Sequence, residues 1–174
     1  MNIVKGRRWD YFPKLFEENG YTIGAEIGVE LGRFSKCLLQ KVPNLTLYSI
    51  DPWESYANQN SPKKFYEYAK DRLEPFDNCF MIKAYSMDAV KEFEDGSLDF
   101  VYIDANHDYE HTVEDIREWH HKVREGGIVA GHDYHDDGDR YGVKSAVDEW
   151  IDILDVELNL LKEKKGYPCW WYKK

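Results

Sequence analysis

Acids and glycines crowd together in Thr22–Ser35, TIGAEIGVELGRFS, where Glu26 closes an apolar run and Gly28 and Gly32 follow it. Glycines between a strand and a helix let a ligand approach the backbone closely. A pyrophosphate would favour G-x-G-x-x-G and unopposed helix amides, whereas this stretch reads E-x-G-x-x-x-G with a second acid, Glu30, inside the loop. Two carboxylates repel a diphosphate and welcome a cation. Asp51 ends the next apolar run in LYSIDPW, 25 residues after Glu26, a position where an acid accepts hydrogen bonds from ribose hydroxyls. A ligand with a ribose, an ammonium group and no phosphate is S-adenosylmethionine.

A second group of reactive types lies further along. IDANHDYEH carries Asp104, Asn106, His107 and Asp108, and AGHDYHDD carries His132, Asp133 and His135. If each follows a strand of one parallel sheet, both loops can face one pocket. Asp104, His132 and Asp133 are then candidate ligands for Mg²⁺ or Mn²⁺, an ion able to lower the pKa of an acceptor hydroxyl and align it. The ordinary readings stand beside this one: Asp133 in an Asx turn, Asp108 as a helix cap, and Asp136, Asp137 and Asp139 as a hydrated loop. His107 is a candidate general base because imidazole titrates near neutrality, and equally a structural histidine bonded to the later loop. His120 falls on an apolar helical face and reads as core, while His111 and His121 read as exposed.

The elements that would position these residues alternate. Short apolar runs at Thr22–Ile27, Thr46–Ile50, Cys79–Lys83, Leu98–Ile103 and Ile128–Ala130 read as strands. Between them Phe34, Cys37, Leu38 and Val42 share one helical face, as do Val113, Ile116, His120 and Val123, and later Val147, Trp150, Ile151 and Leu154. The helix from Tyr109 to Arg124 has Asp108 to cap it, acids near its start, bases near its end and Gly126 beyond. A last helix covers Ser145–Asp155. This alternation predicts an α/β, doubly wound, mostly parallel sheet with right-handed crossovers. VELNLLKEKKGYPCWWYKK then reads as a hairpin over 156–172 that adds an antiparallel edge, with Trp170 and Trp171 on opposite faces and at most one of them packed inward. The segment 1–20 reads as helical.

Composition narrows the class. The 174 residues suit a single domain, and 43% hydrophobic with 16% aromatic content supplies a core. A net charge of −10 argues against general nucleic-acid binding, which depends on clustered Lys and Arg. Cys37, Cys79 and Cys169 lie far apart without a C-x-x-C pair, which suits reduced thiols in the cytoplasm. No apolar run reaches the ~20 residues of a membrane helix, and MNIVKGRRWDYF lacks a signal-peptide core.

AEIGVELGRFS resembles motif I of class I methyltransferases, SIDPW resembles their second acidic motif, and DFVYIDANHDYEHTVEDIREWHHKVREGGIVAGHDY closely resembles the strand-4 to strand-5 region of a bacterial and phage subgroup of small-molecule methyltransferases. The resemblance spans Thr22–Tyr134. It implies a Rossmann-like sheet of seven strands in the order 3-2-1-4-5-7-6. It also implies that Glu26, Gly28 and Gly32 face the methionine portion of S-adenosylmethionine, with Ser35 on the same side and Asp51 on the ribose. Ser86 and Met87 would border the adenine, Trp53 would stack on it, and Asp104 would take the methionine amino group or a metal. Ala105 departs from the glycine common in that subgroup.

The expectation is therefore methyl transfer to a small-molecule hydroxyl, a sugar or phenol, in preference to nitrogen. His107, Asp104 and Asp133 are the candidate catalytic residues. Tyr56, Tyr66, Tyr68, Tyr134 and Tyr141 are candidates for lining the acceptor site, and a homodimer would complete a pocket that so short a chain leaves open. The rivals are a cofactor-binding domain without catalysis, a nicotinamide-dependent oxidoreductase and a metal-dependent hydrolase.

Overall fold

The computed structural model describes residues 1–54, 62–138 and 141–174. In chain order it contains β1 (Asn2–Lys5), α1 (Arg8–Glu18), β2 (Ile23–Ile27), α2 (Arg33–Lys41), β3 (Thr46–Ile50), α3 (Pro62–Leu73), β4 (Cys79–Ile82) and the one-turn α4 (Ser86–Ala89). There follow β5 (Leu98–Ile103), α5 (Tyr109–Lys122), β6 (Val123–Gly131), the short strands β7 (Asp136–Asp137) and β8 (Tyr141–Gly142), α6 (Val143–Leu154), β9 (Asn159–Lys162) and β10 (Cys169–Lys173).

The large sheet runs β1-β9-β10-β6-β5-β2-β3-β4. From β9 to β4 this is the expected order 3-2-1-4-5-7-6 read from its other end. β10 lies antiparallel to both β6 and β9, so the terminal hairpin supplies the antiparallel pairing. The departure is β1, an eighth strand, which pairs parallel with β9 where a wholly helical segment was expected. All four β1 residues are exposed, so they carry no apolar periodicity for a sequence reading to detect.

Both faces of the sheet are covered. Phe12, Phe16, Phe34, Leu38, Phe100 and Tyr102 pack under α1, α2 and α3, and Val101, Ile116, Trp119, Val147, Trp170 and Tyr172 pack under α5 and α6. A central strand buried on both sides reads as a continuous apolar run, and every residue of β5 is buried, including Asp99. The Asp99 carboxylate accepts the backbone N–H groups of Thr22 and Ile23 at 2.6 and 3.0 Å and the Arg124 guanidinium at 2.7 Å, fixing the start of β2. Trp170 and Trp171 do point to opposite faces, but both pack, because helices cover the two sides: Trp170 is buried beside Tyr172 and Trp171 is partly buried near Tyr11.

Asp108 caps α5 by accepting the His111 N–H at 2.9 Å. His120 is a packing residue whose Nδ1 lies 3.0 Å from the Tyr172 hydroxyl, and His111 and His121 are exposed. Asp136 is not a hydrated loop residue: its carboxylate accepts from Ser145 N and Oγ in the first turn of α6. Asp139 and Tyr56 fall outside the described residues. Among the described residues no helix is long and apolar enough to cross a membrane.

Candidate active site

Chain order reverses between β5 and β2, and a cavity of about 730 Å³ opens at the carboxyl ends of β2, β3, β5 and β6. That size suits a small organic ligand, for which sites span ~300–1,000 Å³. Glu26, Gly28, Asp51, Trp53, Asp104 and His107 all line it, as do His132, Asp133 and Tyr141. Arg8 and Trp9 close it from the start of α1.

The three glycines of the opening stretch turn out to have three different causes. A Cβ on Gly24 would sit 2.2 Å from the Phe100 ring, so this glycine makes room for the stack of Phe16 on Phe100. A Cβ on Gly28, where φ is +88°, would lie 2.1 Å from the Asp104 carbonyl oxygen, so Gly28 lets the loops after β2 and β5 touch. Gly32 caps α2 with a left-handed φ of +68° and faces Leu73 of α3. It helps shape the loop without lining the cavity. Ala105 stands beside this contact without a left-handed backbone, so the glycine common in the subgroup is not needed here.

Asp51 holds the loop together. Its Oδ2 accepts from Val29 N and Glu30 N, both at 2.9 Å, and its Oδ1 accepts from Trp53 N at 2.6 Å. A carboxylate offers about four acceptor positions, so three are engaged and one is left open. Glu30 and Trp53 have left-handed φ of 51° and 44°, conformations that cost non-glycine residues energy and persist only where their surroundings enforce them. Here Asp51 enforces both. Trp53 is only 4% exposed, donates Nε1–H to the Glu30 carbonyl at 2.9 Å and packs edge-on against Tyr66.

Glu26 is 2% exposed, and Ser35 Oγ donates to its Oε2 while Ser49 Oγ donates to Ser35 at 2.9 Å. Ser35 thus supports Glu26 from behind instead of lining the cavity. Burial pushes the Glu26 carboxyl up to about 8, and the nearby charges of Asp104 and Asp51 add to that rise against the opposing Ser35 and Arg8. Ser86 and Met87 also lie off the cavity. The Ser86 hydroxyl is taken by Asp115 and accepts Trp119 Nε1–H at 2.8 Å, tying α4 to α5.

On the loop after β5, His107 Nε2 lies 3.0 Å from Asp133 Oδ2 and 3.5 Å from Asp104 Oδ1. It aims along neither direction, and no described residue completes a hydrogen bond to this buried nitrogen. Burial alone would lower the His107 pKa, but the two carboxylates raise it to about 9. Burial opposes ionisation of Asp133 too, yet the imidazoles of His107 and His132 hold its carboxyl well below the usual carboxylate range. Tyr141, carried by the β7–β8 ribbon, stacks on the His107 ring with centroids 5.4 Å apart.

The ligand-type atoms of Asp104, His107 and Asp133 lie within 4.8 Å of one another. His132, expected with Asp104 and Asp133, presents Nδ1 to Asp133 Oδ2 at 3.1 Å and to Asp104 Oδ1 at 3.9 Å, while its Nε2 turns towards Glu163 at 3.6 Å, in a second group with Glu163 and Cys169. Of the tyrosines expected around an acceptor, Tyr141 lines the cavity, whereas Tyr134 donates to Asp148, Tyr66 packs on Trp53 and Tyr68 is exposed. Arg8 escaped the sequence reading altogether. It is 96 residues from its partner Asp104, and an arginine in the first turn of a helix gives no local signal of a site.

Residues 25–134, more than half of the chain and inclusive of every acid lining the ends of β2, β3, β5 and β6, match the family model described as Methyltransferase domain. The chain belongs to that family. Solved structures agree in fold with this methyltransferase-domain protein. The O-methyltransferase TomG from Streptomyces achromogenes, in complex with SAM, is 18% identical with a TM-score of 0.74 over 95% of this chain and 78% of its own. An O-methyltransferase from Bacillus cereus, in complex with SAH, is 14% identical with a TM-score of 0.71 over 96% of this chain and 80% of its own. A precorrin-6y C5,15-methyltransferase from Geobacter metallireducens is 13% identical with a TM-score of 0.66 over 98% and 94%. Among curated proteins none matches the sequence.

The residues present fit S-adenosylmethionine. Gly28 keeps the loop floor free of a side chain, Glu26 and Asp104 offer acids for positive charge, and Asp51 retains one acceptor position.

Proposed function

We propose that this methyltransferase-domain protein transfers a methyl group from S-adenosylmethionine to a hydroxyl of a small molecule. The observation that carries the reading is one cavity lined by Glu26, Gly28 and Asp51 and, beside them, by the Asp104–His107–Asp133 group. When bound, S-adenosylmethionine supplies an electrophilic methyl group. Alignment of the acceptor and timely removal of its proton are the remaining tasks. His107 takes that proton at Nε2, which faces the carboxylates of Asp133 and Asp104 without completing a hydrogen bond, and Tyr141 stacks on the ring. An oxygen acceptor suits this group better than a nitrogen acceptor, because a weakly acidic hydroxyl needs a base. Three free thiols accord with a reducing cytoplasm.

A second reading has its own observation: an unsatisfied imidazole nitrogen between two carboxylates is also a place for a divalent ion. Asp104, His107 and Asp133 would then hold Mn²⁺ or Mg²⁺, and His107 would be a ligand instead of a base.

The test is calorimetric titration with S-adenosylmethionine and S-adenosylhomocysteine, with and without Mn²⁺, followed by transfer of labelled methyl to a panel of phenols and sugars. Absence of binding overturns the methyltransferase reading, and binding without turnover across the panel favours a domain that has lost catalysis. His107→Gln should keep S-adenosylhomocysteine affinity and lose ~10²- to 10⁴-fold in turnover. With His107 near 9 the neutral base becomes more abundant as pH rises, so metal-free turnover should climb from pH 7 towards 9. Turnover that is flat over that range and abolished by chelation would assign His107 to the metal.

A further inference from the structure

Resting on the methyltransferase reading, we infer that Arg8 holds the carboxylate of the cofactor's methionine portion, so that Arg8 and Asp104 together recognise an α-amino acid zwitterion. A zwitterion carries its ammonium and carboxylate on one carbon, and a site for it needs a cation and an anion side by side. Arg8 Nη1 lies 2.9 Å from Asp104 Oδ2, both side chains are about four-fifths buried, and both line the cavity. Most other ionisable groups lining this cavity are acids, among them Glu26, Glu30, Asp51 and Asp133. A carboxylate entering it needs a fixed cation, and a guanidinium stays charged and offers five N–H donors in a planar fork.

Asp104 accepts from one nitrogen of that fork, leaving further donors for a second oxygen anion. The plane of the fork is set by its neighbours. The guanidinium carbon lies 5.0 Å from the Trp9 ring centroid and 5.6 Å from that of Phe34. The backbone is set as well: Arg8 N donates to Glu163 Oε1 at 2.8 Å, which anchors the first residue of α1 to the terminal hairpin. Asp104 divides its two oxygens, Oδ2 towards Arg8 and Oδ1 towards His107 and His132. The ammonium subsite thereby adjoins the carboxylate subsite on one side and the chemistry on the other. Arg33, the other arginine lining the cavity, is exposed on α2 and lacks this partner.

The test is a binding cycle by calorimetry: S-adenosylmethionine and its decarboxylated analogue, each against the wild type and Arg8→Gln. The analogue keeps the adenosine, the sulfonium and the amine and lacks only the carboxylate. Charge-assisted hydrogen bonds of this kind correspond to about 10- to 100-fold in affinity. The wild type should bind the analogue more weakly than S-adenosylmethionine by that factor. Arg8→Gln should lose the same factor for S-adenosylmethionine and bind both ligands alike, its retained affinity for the analogue showing that it is folded. A variant that still discriminates like the wild type, a wild type that does not discriminate, or a variant that binds neither ligand while the wild type binds both would overturn the assignment to Arg8 alone. A wild type that binds neither would overturn the methyltransferase reading, and this inference with it.

Discussion

Glu26 and Asp133 carry the same functional group in one cavity and titrate in opposite directions. Burial and acidic neighbours favour the neutral form of Glu26 against the Ser35 hydroxyl that donates to it, whereas Asp133 faces two imidazoles, which favour its charged form. A carboxyl near 8 is mostly protonated at pH 7, and a cation arriving beside it restores the charged form. Binding of S-adenosylmethionine at pH 7 should therefore release a fraction of a proton. Calorimetry in buffers of different ionisation enthalpy measures it directly, and Glu26→Gln should abolish the release; a wild-type heat independent of buffer would refute it. The sign for stability is opposite in effect to that of a paired acid. A raised carboxyl lets the folded state hold a proton that the unfolded state has lost, so this group lowers stability as pH rises from about 4.5 to about 8.

Among the elements, the joint between β2 and β5 decides whether a site exists. Gly28 meets the Asp104 carbonyl at a distance no side chain tolerates, and Asp51 fastens the following loop through three backbone amides. Gly28→Ala should cost at least ~2 kcal/mol in urea unfolding and displace Asp104 from Arg8. Gly20 is the matched control, since its φ of +68° is also left-handed but nothing lies within 4 Å of an added Cβ. Gly20→Ala should then show only the ~1–2 kcal/mol of backbone strain. Equal losses in the two variants would mean that the contact between loops contributes nothing. This element was half legible beforehand. The glycines and acids were visible as a pattern, but a glycine kept for Phe100, one for Asp104 and one for Leu73 look alike in a sequence.

For the whole molecule, a ligand that binds only the folded state stabilises it by RT ln(1 + [L]/Kd), about 2.7 kcal/mol at 100 times Kd. In a chain of 174 residues each kcal/mol shifts Tm by roughly 2–4 °C, so saturating S-adenosylhomocysteine should raise Tm by about 5–11 °C. NAD⁺ at the same concentration should raise it by none, because Glu26, Glu30 and Asp51 crowd the loop where a pyrophosphate would sit. A larger shift with NAD⁺ than with S-adenosylhomocysteine would reverse the choice between the two cofactors.

The sequence by itself determined the order of elements, the hairpin at the end and which strand ends carry acids, because these depend on local periodicity and on short-range spacing. It also carried the family resemblance, since the motifs are contiguous. The tertiary structure alone decided that Ser35 and Ser86 face other side chains, that His107 joins His132 beside Asp104 and Asp133, and that Arg8 enters the cavity. The exposed β1 strand belongs with these. Each depends on contacts between residues far apart in the chain, or on the direction a side chain takes once its neighbours are packed, and neither quantity has a period that a linear sequence can show.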